Sequence, residues 1–373
     1  MIKLLTMATM TKRERCERTM NFQETDRIPI YDLLRCDAAF EYFSGEKLPP
    51  LSKSPDIEEK LAKIVGKAVN KLLDMTRSVG FGPIVEEDIE DYYGFIRHSS
   101  PSEKTTWIKK KPFLDEKGAI EFLKRWVSDI KKDRKAIEHN PSEYREKYHD
   151  GFLKTQALIG DTVNLFAQQG VGLDDIRVQM GFELFSYVYA DDPGIISECL
   201  EECTKRNITI CHAIADVKLS PCVLTYGDIA CKQRLLHSPE FLRKEFFPRL
   251  KRINDAWHEH GFKCLFHSDG YLMDVMDDLI ATGIDGLNPI ETVAGMSIKE
   301  IREKYGNKIF LAGGIDMSQL LAFGNTEGVK EYCRKTIKEA YPGYFIGSTT
   351  EIDNSTKLEN IIAIYEVVHN EKF

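Results

Sequence analysis

The second half of the chain alternates short β-rich segments with segments of helical spacing, and this alternation limits the folds open to it. Strands that alternate with helices form parallel sheets. Because so many units follow one another with single helices between them, we predict an α/β fold of the (β/α)8 type, a TIM barrel. The predicted strands are residues 163–167, 222–226, 263–267, 286–289, 309–312 and 344–347.

The first half of the chain predicts an N-terminal helical extension and a β-hairpin insertion. An apolar strand is predicted near residues 28–32. Two β-rich runs at residues 92–97 and 105–108 flank a polar turn, which predicts the hairpin. We expect one barrel domain over residues 1–373, with residues 90–150 as an insertion or lid. The predicted helices are residues 11–22, 56–76, 117–150, 238–259, 271–282, 297–305, 317–323, 326–340 and 356–369.

Composition excludes several classes of function. The net charge is -8, whereas binding to nucleic acid needs a basic face that neutralises phosphates. No stretch reaches the roughly 18 apolar residues of a membrane helix, and the N-terminus has no signal-peptide pattern. The nine cysteines are scattered, odd in number and without a C-x-x-C pair, which predicts reduced thiols and a cytoplasmic protein.

Five consecutive predicted strands are each followed by an acidic residue or a histidine. Catalytic groups of such barrels lie at the C-terminal ends of the strands. We therefore expect these side chains to converge on one mouth of the barrel, with His267 and Asp269 near its centre. The residues are Asp228, His267 with Asp269, Glu291, Asp316 and Glu351.

His267 and Asp269 form a candidate metal pair. Positions i and i+2 of an extended segment point the same way, and an imidazole with a carboxylate suits Zn²⁺ or a related ion. Glu351, Glu291 or Asp228 could supply a third ligand. Each residue also has a structural interpretation: Asp269 and Asp316 could be helix N-caps, and His267 could be a packed histidine.

Several segments resemble the uroporphyrinogen decarboxylase-like superfamily. The closing half carries the most specific resemblance, through His267-Ser268-Asp269-Gly270 and Gly313-Gly314-Ile315-Asp316. The resemblance covers nearly the whole chain and implies a (β/α)8 barrel, in agreement with the strand–helix alternation. The other matching segments are residues 12–15, 22–29, 181–184, 192–193, 283–291 and 358–361.

The superfamily contains at least two chemistries. One branch decarboxylates a tetrapyrrole without a cofactor and carries an Arg-Gln-Ala-Gly-Arg run, whereas the corresponding residues 33–38 of this chain contain only Arg35. The other branch transfers methyl groups to or from corrinoid proteins and resembles methylcobalamin:coenzyme M methyltransferase. That branch binds zinc through a His-x-Cys pair and a later cysteine. Here the pair is His267-x-Asp269 and the later position falls at residues 349–351.

The resemblance implies a methyltransferase component that acts with a corrinoid (cobalamin) protein. Zinc would bind His267, Asp269 and Glu351, and a site without thiolates suits an O-methyl substrate better than a thiol. The expected catalytic residues are His267, Asp228 and Asp316. The expected substrate-binding residues are Glu291, Asn288, Tyr226 and Thr350.

Two alternatives remain open at this point. A cofactor-independent decarboxylase of a small carboxylic acid would use His267 as general acid. It would need Arg35, Arg77 or Arg97 at the mouth to hold the substrate carboxylate. A non-catalytic corrinoid- or ligand-binding barrel would leave the acids at the strand ends scattered or used as caps. The sequence also leaves open whether the protein is a homodimer.

Overall fold

A computed structural model describes residues 10–50, 52–77, 79–101 and 105–371 of the chain. The polypeptide in these ranges alternates strands and helices throughout. The strands are β1 (Tyr31–Asp32), β2 (Met75–Thr76), β3 (Glu87–Glu90), β4 (Ile96–Ser100), β5 (Thr105–Lys110), β6 (Val163–Asn164), β7 (Gln168–Gly170), β8 (Cys222–Tyr226), β9 (Ala230–Cys231), β10 (Arg234–Leu235), β11 (Lys263–His267), β12 (Gly286–Asn288), β13 (Phe310–Ala312) and β14 (Tyr344–Phe345).

The parallel strands close into an eight-stranded barrel. One sheet has the order β1-β2-β6, and a second has the order β7-β8-β11-β12-β13-β14. β6 and β7 are two halves of one barrel strand, since β6 pairs with β2 and β7 pairs with β8. A parallel bridge between Ile30 and Ile346 joins the first strand to the last. The predicted (β/α)8 barrel is therefore confirmed.

Helices cover the outside of the barrel, and α1 is the predicted N-terminal extension. Two π-helical turns, Leu242–Phe246 and Met317–Leu321, interrupt or replace predicted α-helix. The helices are α1 (Lys12–Met20), α2 (Asp37–Ser44), α3 (Pro55–Leu72), α4 (Glu116–His139), α5 (Pro141–Leu158), α6 (Leu173–Met180), α7 (Phe182–Asp191), α8 (Pro193–Ile214), α9 (Pro239–Phe241), α10 (Phe247–Glu259), α11 (Met276–Ala281), α12 (Ile298–Tyr305), α13 (Thr326–Ala340) and α14 (Leu358–Asn370).

The barrel interior is filled by side chains, as expected of a barrel of this size. Phe310 lies over Gly286 of the neighbouring strand, where a Cβ would come within 2.4 Å of the Phe310 ring. Cys16 and Met20 of α1 belong to the same apolar cluster, so α1 closes one end of the barrel. The strand residues of this cluster are Tyr31, Met75, Val163, Cys222, Leu224, Leu265, Phe310, Ala312 and Phe345.

Buried ion pairs hold α1 against the barrel. The side chain of Asp74 is fully buried and accepts hydrogen bonds from Arg15 at 2.7 Å and from Arg27 at 2.7 Å. Arg15 also pairs with Asp26 at 2.7 Å. Removing one partner of such a buried pair leaves an uncompensated charge, so we expect the loss of any one of these charges to destabilise the contact between α1 and the barrel.

The insertion is larger than a hairpin. β3, β4 and β5 form a three-stranded antiparallel sheet between β2 and α4, in the order β3-β4-β5. It begins at Glu87, slightly before the predicted boundary of residue 90. The two strands of the predicted hairpin are present as β4 and β5. That residues 90–150 act as a lid remains a prediction.

Two features correct the predicted elements. The predicted helix over residues 56–76 ends at Leu72, because the backbone then pairs with Ile30 and β1 as β2. The predicted strand over residues 163–167 is divided, because its backbone changes partner: the N–H of Leu165 donates to Thr76 at 2.9 Å, whereas the N–H of Phe166 donates to Cys222 at 2.8 Å. The local spacing of residues could not predict either contact.

None of the helices that the structure describes is long and apolar enough to cross a membrane. All nine cysteines are free thiols, and eight of them are buried.

Candidate active site

His267 lies at the C-terminal end of β11 and faces the barrel axis. Leu265, two residues earlier, belongs to the interior cluster, whereas Phe266 belongs to the outer core between strands and helices. Since side chains alternate along a strand, His267 points inward at the mouth. The residue is only 8% exposed. In the sheet it stands beside Tyr226 of β8 and Asn288 of β12.

Asn288 fixes the tautomer of His267. The Asn288 amide nitrogen donates to the carbonyl oxygen of Ala312 at 3.2 Å, which leaves its Oδ1 facing Nδ1 of His267 at 3.0 Å. Because Oδ1 can only accept, Nδ1 carries the proton and Nε2 presents a free lone pair. Burial, assisted by the charge of Arg77, lowers the pKa of His267 to about 3. The imidazole is therefore neutral near pH 7.

Two carboxylates lie beside this lone pair. The ligand atoms of Asp228, His267 and Asp269 all lie within 4.8 Å of one another. Oδ1 of Asp269 is buried and has no hydrogen-bond partner among the described residues. Burial, together with the charges of Asp228 and Glu291, raises the pKa of Asp269 to about 7. An unpartnered buried oxygen among like charges is the environment that a bound cation would satisfy.

The three donors fit a divalent metal ion. One imidazole nitrogen and two carboxylates suit zinc at ligand distances of about 2.0–2.2 Å, with room for a further ligand. Glu351, the predicted third ligand, is not within 4.8 Å of both His267 and Asp269. It pairs instead with Arg35 at 3.3 Å. The structure therefore brings Asp228, and not Glu351, to the predicted pair.

Asp316 and Glu291 are engaged with the backbone. The two oxygens of Asp316 accept from the backbone N–H groups of residues 318, 319 and 320 at 2.9–3.0 Å and from a serine hydroxyl at 2.9 Å. This geometry favours the capping interpretation of Asp316 over the catalytic one. Glu291 accepts from the backbone N–H of Gly270 at 2.7 Å, so it shapes the loop that carries Asp269.

The other predicted substrate-binding residues are less central. The Tyr226 ring lies against Gly170 of β7, and burial raises its pKa. The charges that act on Tyr226 include those of Asp175 and Asp174 of α6 and of Arg206 of α8. Thr350 is half-buried in the loop after β14. Their roles in substrate binding remain predictions.

The three arginines considered for a carboxylate clamp occupy different places. Arg97 pairs with Asp91 at 2.9 Å inside the insertion, and Arg35 pairs with Glu351. Arg77 follows β2, and its charge adds to the effect of burial in lowering the pKa of His267 and offsets part of the rise in the pKa of Asp269. Within the described ranges no carboxylate oxygen lies within 4.0 Å of the Arg77 guanidinium. Arg77 is therefore a cation at the mouth without a carboxylate partner among the described residues, and its guanidinium lies close to the hydroxyl of Tyr31.

Sequence reasoning missed two acidic residues of the mouth. Asp32 ends β1 and is buried, and burial raises its pKa to about 7 although Ser348 donates two hydrogen bonds to it, at 2.6 and 2.9 Å. Asp174 opens α6 and accepts from the backbone N–H of Asp228 at 2.9 Å. The strand-end rule could have found Asp32. Asp174 carries no such signal, because it reaches the site from a helix.

Comparisons with known proteins agree with this architecture. The family model described as Uroporphyrinogen decarboxylase (URO-D) matches residues 177–371. The structure is similar to that of a methyltransferase from Methanosarcina mazei, with a TM-score of 0.65 and 14% sequence identity, covering 96% of this chain and 98% of that one. A comparison with curated proteins finds no match. At this identity the structural likeness shows the shared fold.

Proposed function

The chain belongs to the uroporphyrinogen decarboxylase family, and we propose that it is a metal-assisted methyltransferase that works with a corrinoid protein. Its substrate in this proposal is a small molecule with a methyl group on oxygen. The similar fold of a protein described as a methyltransferase supports this choice within the family. One observation carries the proposal: the free Nε2 of His267 lies with two carboxylates at the barrel mouth.

Each residue of the site has a defined task in this proposal. His267, Asp269 and Asp228 hold the metal ion, and Asn288 keeps the lone pair of His267 turned toward it. A bound divalent ion supplies Lewis acidity toward the substrate oxygen. None of these three donors is sulfur, so the centre is harder than a thiolate site and suits an oxygen ligand. In this proposal Arg77 holds an anionic part of the substrate.

A second function, decarboxylation of a small carboxylic acid, is favoured by Arg77 alone. A decarboxylase needs a cation for the substrate carboxylate, and Arg77 reaches the mouth. His267 cannot serve as its general acid near pH 7, because its pKa lies near 3. Asp269, whose pKa is raised to about 7, would have to donate the proton instead.

The test combines metal analysis with two assays. Protein purified without chelator is compared with an Asp269→Asn variant and with a His258→Ala control, since His258 lies on the opposite face. Methyl transfer between free cobalamin and O-methyl compounds is followed by the cobalamin spectrum, and release of CO2 from small carboxylic acids is measured in parallel. We expect Asp269→Asn to lose one equivalent of zinc and the methyl transfer together. Metal-independent release of CO2 without methyl transfer would establish the alternative.

A further inference from the structure

The C-terminal ends of α8 and α10 meet on the face of the barrel opposite His267. α8 ends at Ile214, shortly before β8 begins, and α10 ends at Glu259, shortly before β11 begins. β8 and β11 are paired neighbours, so the two helix ends lie side by side at the start of these strands. Nothing in the proposed reaction uses this face.

Three metal-ligating side chains lie together at these helix ends. Nδ1 of His212 and Nε2 of His260 are 3.0 Å apart. The Sγ atom of Cys211 and one ring nitrogen of each histidine all lie within 4.8 Å of one another. His212 is exposed, His260 is half-buried and Cys211 is buried, so the cluster is reachable from solvent on the histidine side. Two imidazoles and one sulfur form a typical zinc donor set.

The surroundings of the cluster favour a cation. The carbonyl ends of helices carry partial negative charge, and the cluster lies at two such ends. The carboxylate of Glu259 lies close enough to Cys211 and His260 to act on both electrostatically, while burial is the larger influence and raises the pKa of Cys211 but lowers that of His260. Arg145 acts on His260 in the opposite sense to Glu259, while its guanidinium donates to the carbonyl of Ala215 at 3.4 Å.

A neighbouring cluster of possible metal ligands differs because its side chains are already hydrogen-bonded to one another. His258, Cys264 and Asp285 also lie within 4.8 Å of one another. There the carboxylate of Asp285 already accepts from His258 at 2.7 Å, from Lys263 at 2.9 Å and from the backbone N–H of Cys264 at 2.8 Å. Its oxygens are occupied, so the hydrogen bonds explain the arrangement without an ion. Among the residues that the structure describes, the rings of His212 and His260 have a hydrogen bond only to each other.

We propose that Cys211, His212 and His260 form a second metal site, specific for Zn²⁺ and similar borderline ions, that ties α8 to α10. Zinc bonds of about 2.0–2.1 Å to nitrogen put tetrahedral nitrogen ligands roughly 3.3 Å apart, close to the separation of the two rings. On binding, the thiol proton of Cys211 passes to solvent and the thiolate becomes a ligand. A water molecule completes the four ligands.

Cobalt(II) distinguishes this site from the candidate active site. The active-site donors His267, Asp269 and Asp228 contain no sulfur, so a thiolate-to-cobalt charge-transfer band in the near ultraviolet reports only a cysteine site. We expect the full-length metal-free protein to develop this band with one equivalent of Co²⁺ at the second site. The band should vanish in Cys211→Ser and fall at least tenfold in His260→Asn at equal Co²⁺. It should persist in Asp269→Asn.

The same series contains its controls. His258→Ala tests the neighbouring cluster and should leave the band unchanged. His260→Asn alters an accessible side chain, so it keeps the test valid if Cys211→Ser does not fold. Zinc should raise the melting temperature of the parent by a few degrees, and this shift should shrink in His260→Asn. Absence of the band in the parent, or its loss in His258→Ala and not in His260→Asn, would overturn the second site.

Discussion

His267 and Asn288 occupy paired positions on neighbouring strands, and Oδ1 of Asn288 lies 3.0 Å from Nδ1 of His267. The register of β11 and β12 therefore sets the chemistry of the imidazole. Because Ala312 holds the other end of the Asn288 amide, the amide cannot turn, and Nε2 keeps its lone pair toward Asp228 and Asp269. Groups that orient a ligand in this way commonly tune metal affinity.

Replacing Asn288 by Leu should weaken zinc binding at His267 by about 10–100-fold. The Nδ1 proton would lose its acceptor and the ring would lose its fixed orientation. Zinc affinity is measured by competition with a chromophoric chelator. Asn360→Ala is a matched control, because Asn360 is also a buried amide that holds backbone carbonyls but lies outside the site. Unchanged affinity in Asn288→Leu would refute the orienting role.

Substitutions of Asp228 and Glu351 test which of the two is the third metal ligand. Asp228→Asn should lower zinc affinity by at least tenfold, because it removes a charged donor from the group of three. Glu351→Gln should leave zinc affinity within about twofold and remove only the partly exposed pair with Arg35. Both affinities come from the same chelator competition. The reverse order would restore Glu351 as the ligand and place Asp228 outside the site.

The sequence predicts more of the fold than of the site. β8 and β11 begin and end where the sequence places them, because long β-rich runs bounded by turn residues give a clear signal. β2 was missed because it has two residues and directly follows a helix. Helices α6, α7 and α8, between β7 and β8, were not predicted, so the contribution of α6 to the mouth could not be anticipated.

The acidic residues that the sequence predicts for the site have different roles in the structure, and the spacing of residues along the sequence does not reveal these roles. The strand-end rule locates His267, Asp269 and Asp228 at one mouth, but it does not say which acids bind backbone instead. Asp316 caps the N-terminus of a π-helical turn, and Glu351 forms an ion pair with Arg35. These partners come from loop conformations and distant segments. Only the three-dimensional arrangement distinguishes them from Asp269, whose Oδ1 has no hydrogen-bond partner among the described residues, and from Asp228, whose Oδ1 accepts only from the backbone N–H of Asp269 at 3.3 Å.

Asp316→Ala should destabilise the protein by about 1–2 kcal/mol and leave activity per folded molecule unchanged. Three backbone N–H groups lose their acceptor, and none of them belongs to the proposed metal site. Urea unfolding measures the stability, and the methyl-transfer assay measures the activity. Asn325→Ala, which removes an exposed cap of α13, is a milder control. A loss of kcat above tenfold with normal stability would instead make Asp316 catalytic.

Asp269→Asn should stabilise the metal-free protein at pH 8 and not at pH 4. The folded pKa of Asp269 is raised to about 7, above its unfolded value of about 3.9. Its protonated form therefore contributes stability that is complete below about pH 4 and is lost as the pH rises through 7. Asn imitates the neutral form, so the gain at pH 8 should be a few kcal/mol, with an upper bound of about 4 kcal/mol for a difference of about three pKa units.

Urea unfolding with chelator present, at the two pH values, measures this difference. Asp274→Asn replaces an exposed acid near the same strand end and should show no change between them. If the stability difference between Asp269→Asn and the parent were the same at both pH values, the carboxyl of Asp269 would titrate normally. The unusual environment assigned to it would then be wrong.

Arg77→Met should raise KM for a carboxylated substrate by about 10–100-fold and change KM for a neutral substrate little, because a hydrogen bond to a charged group contributes about 1.5–3 kcal/mol. Arg77→Lys keeps the charge and should recover part of the affinity. Arg35→Gln is the control, since Arg35 already has Glu351 as a partner. Initial rates with one anionic and one neutral substrate of similar size separate KM from kcat. Equal effects on both substrates would mean that Arg77 does not bind the substrate directly. It would then act through His267 and Asp269, because its charge influences the pKa of each.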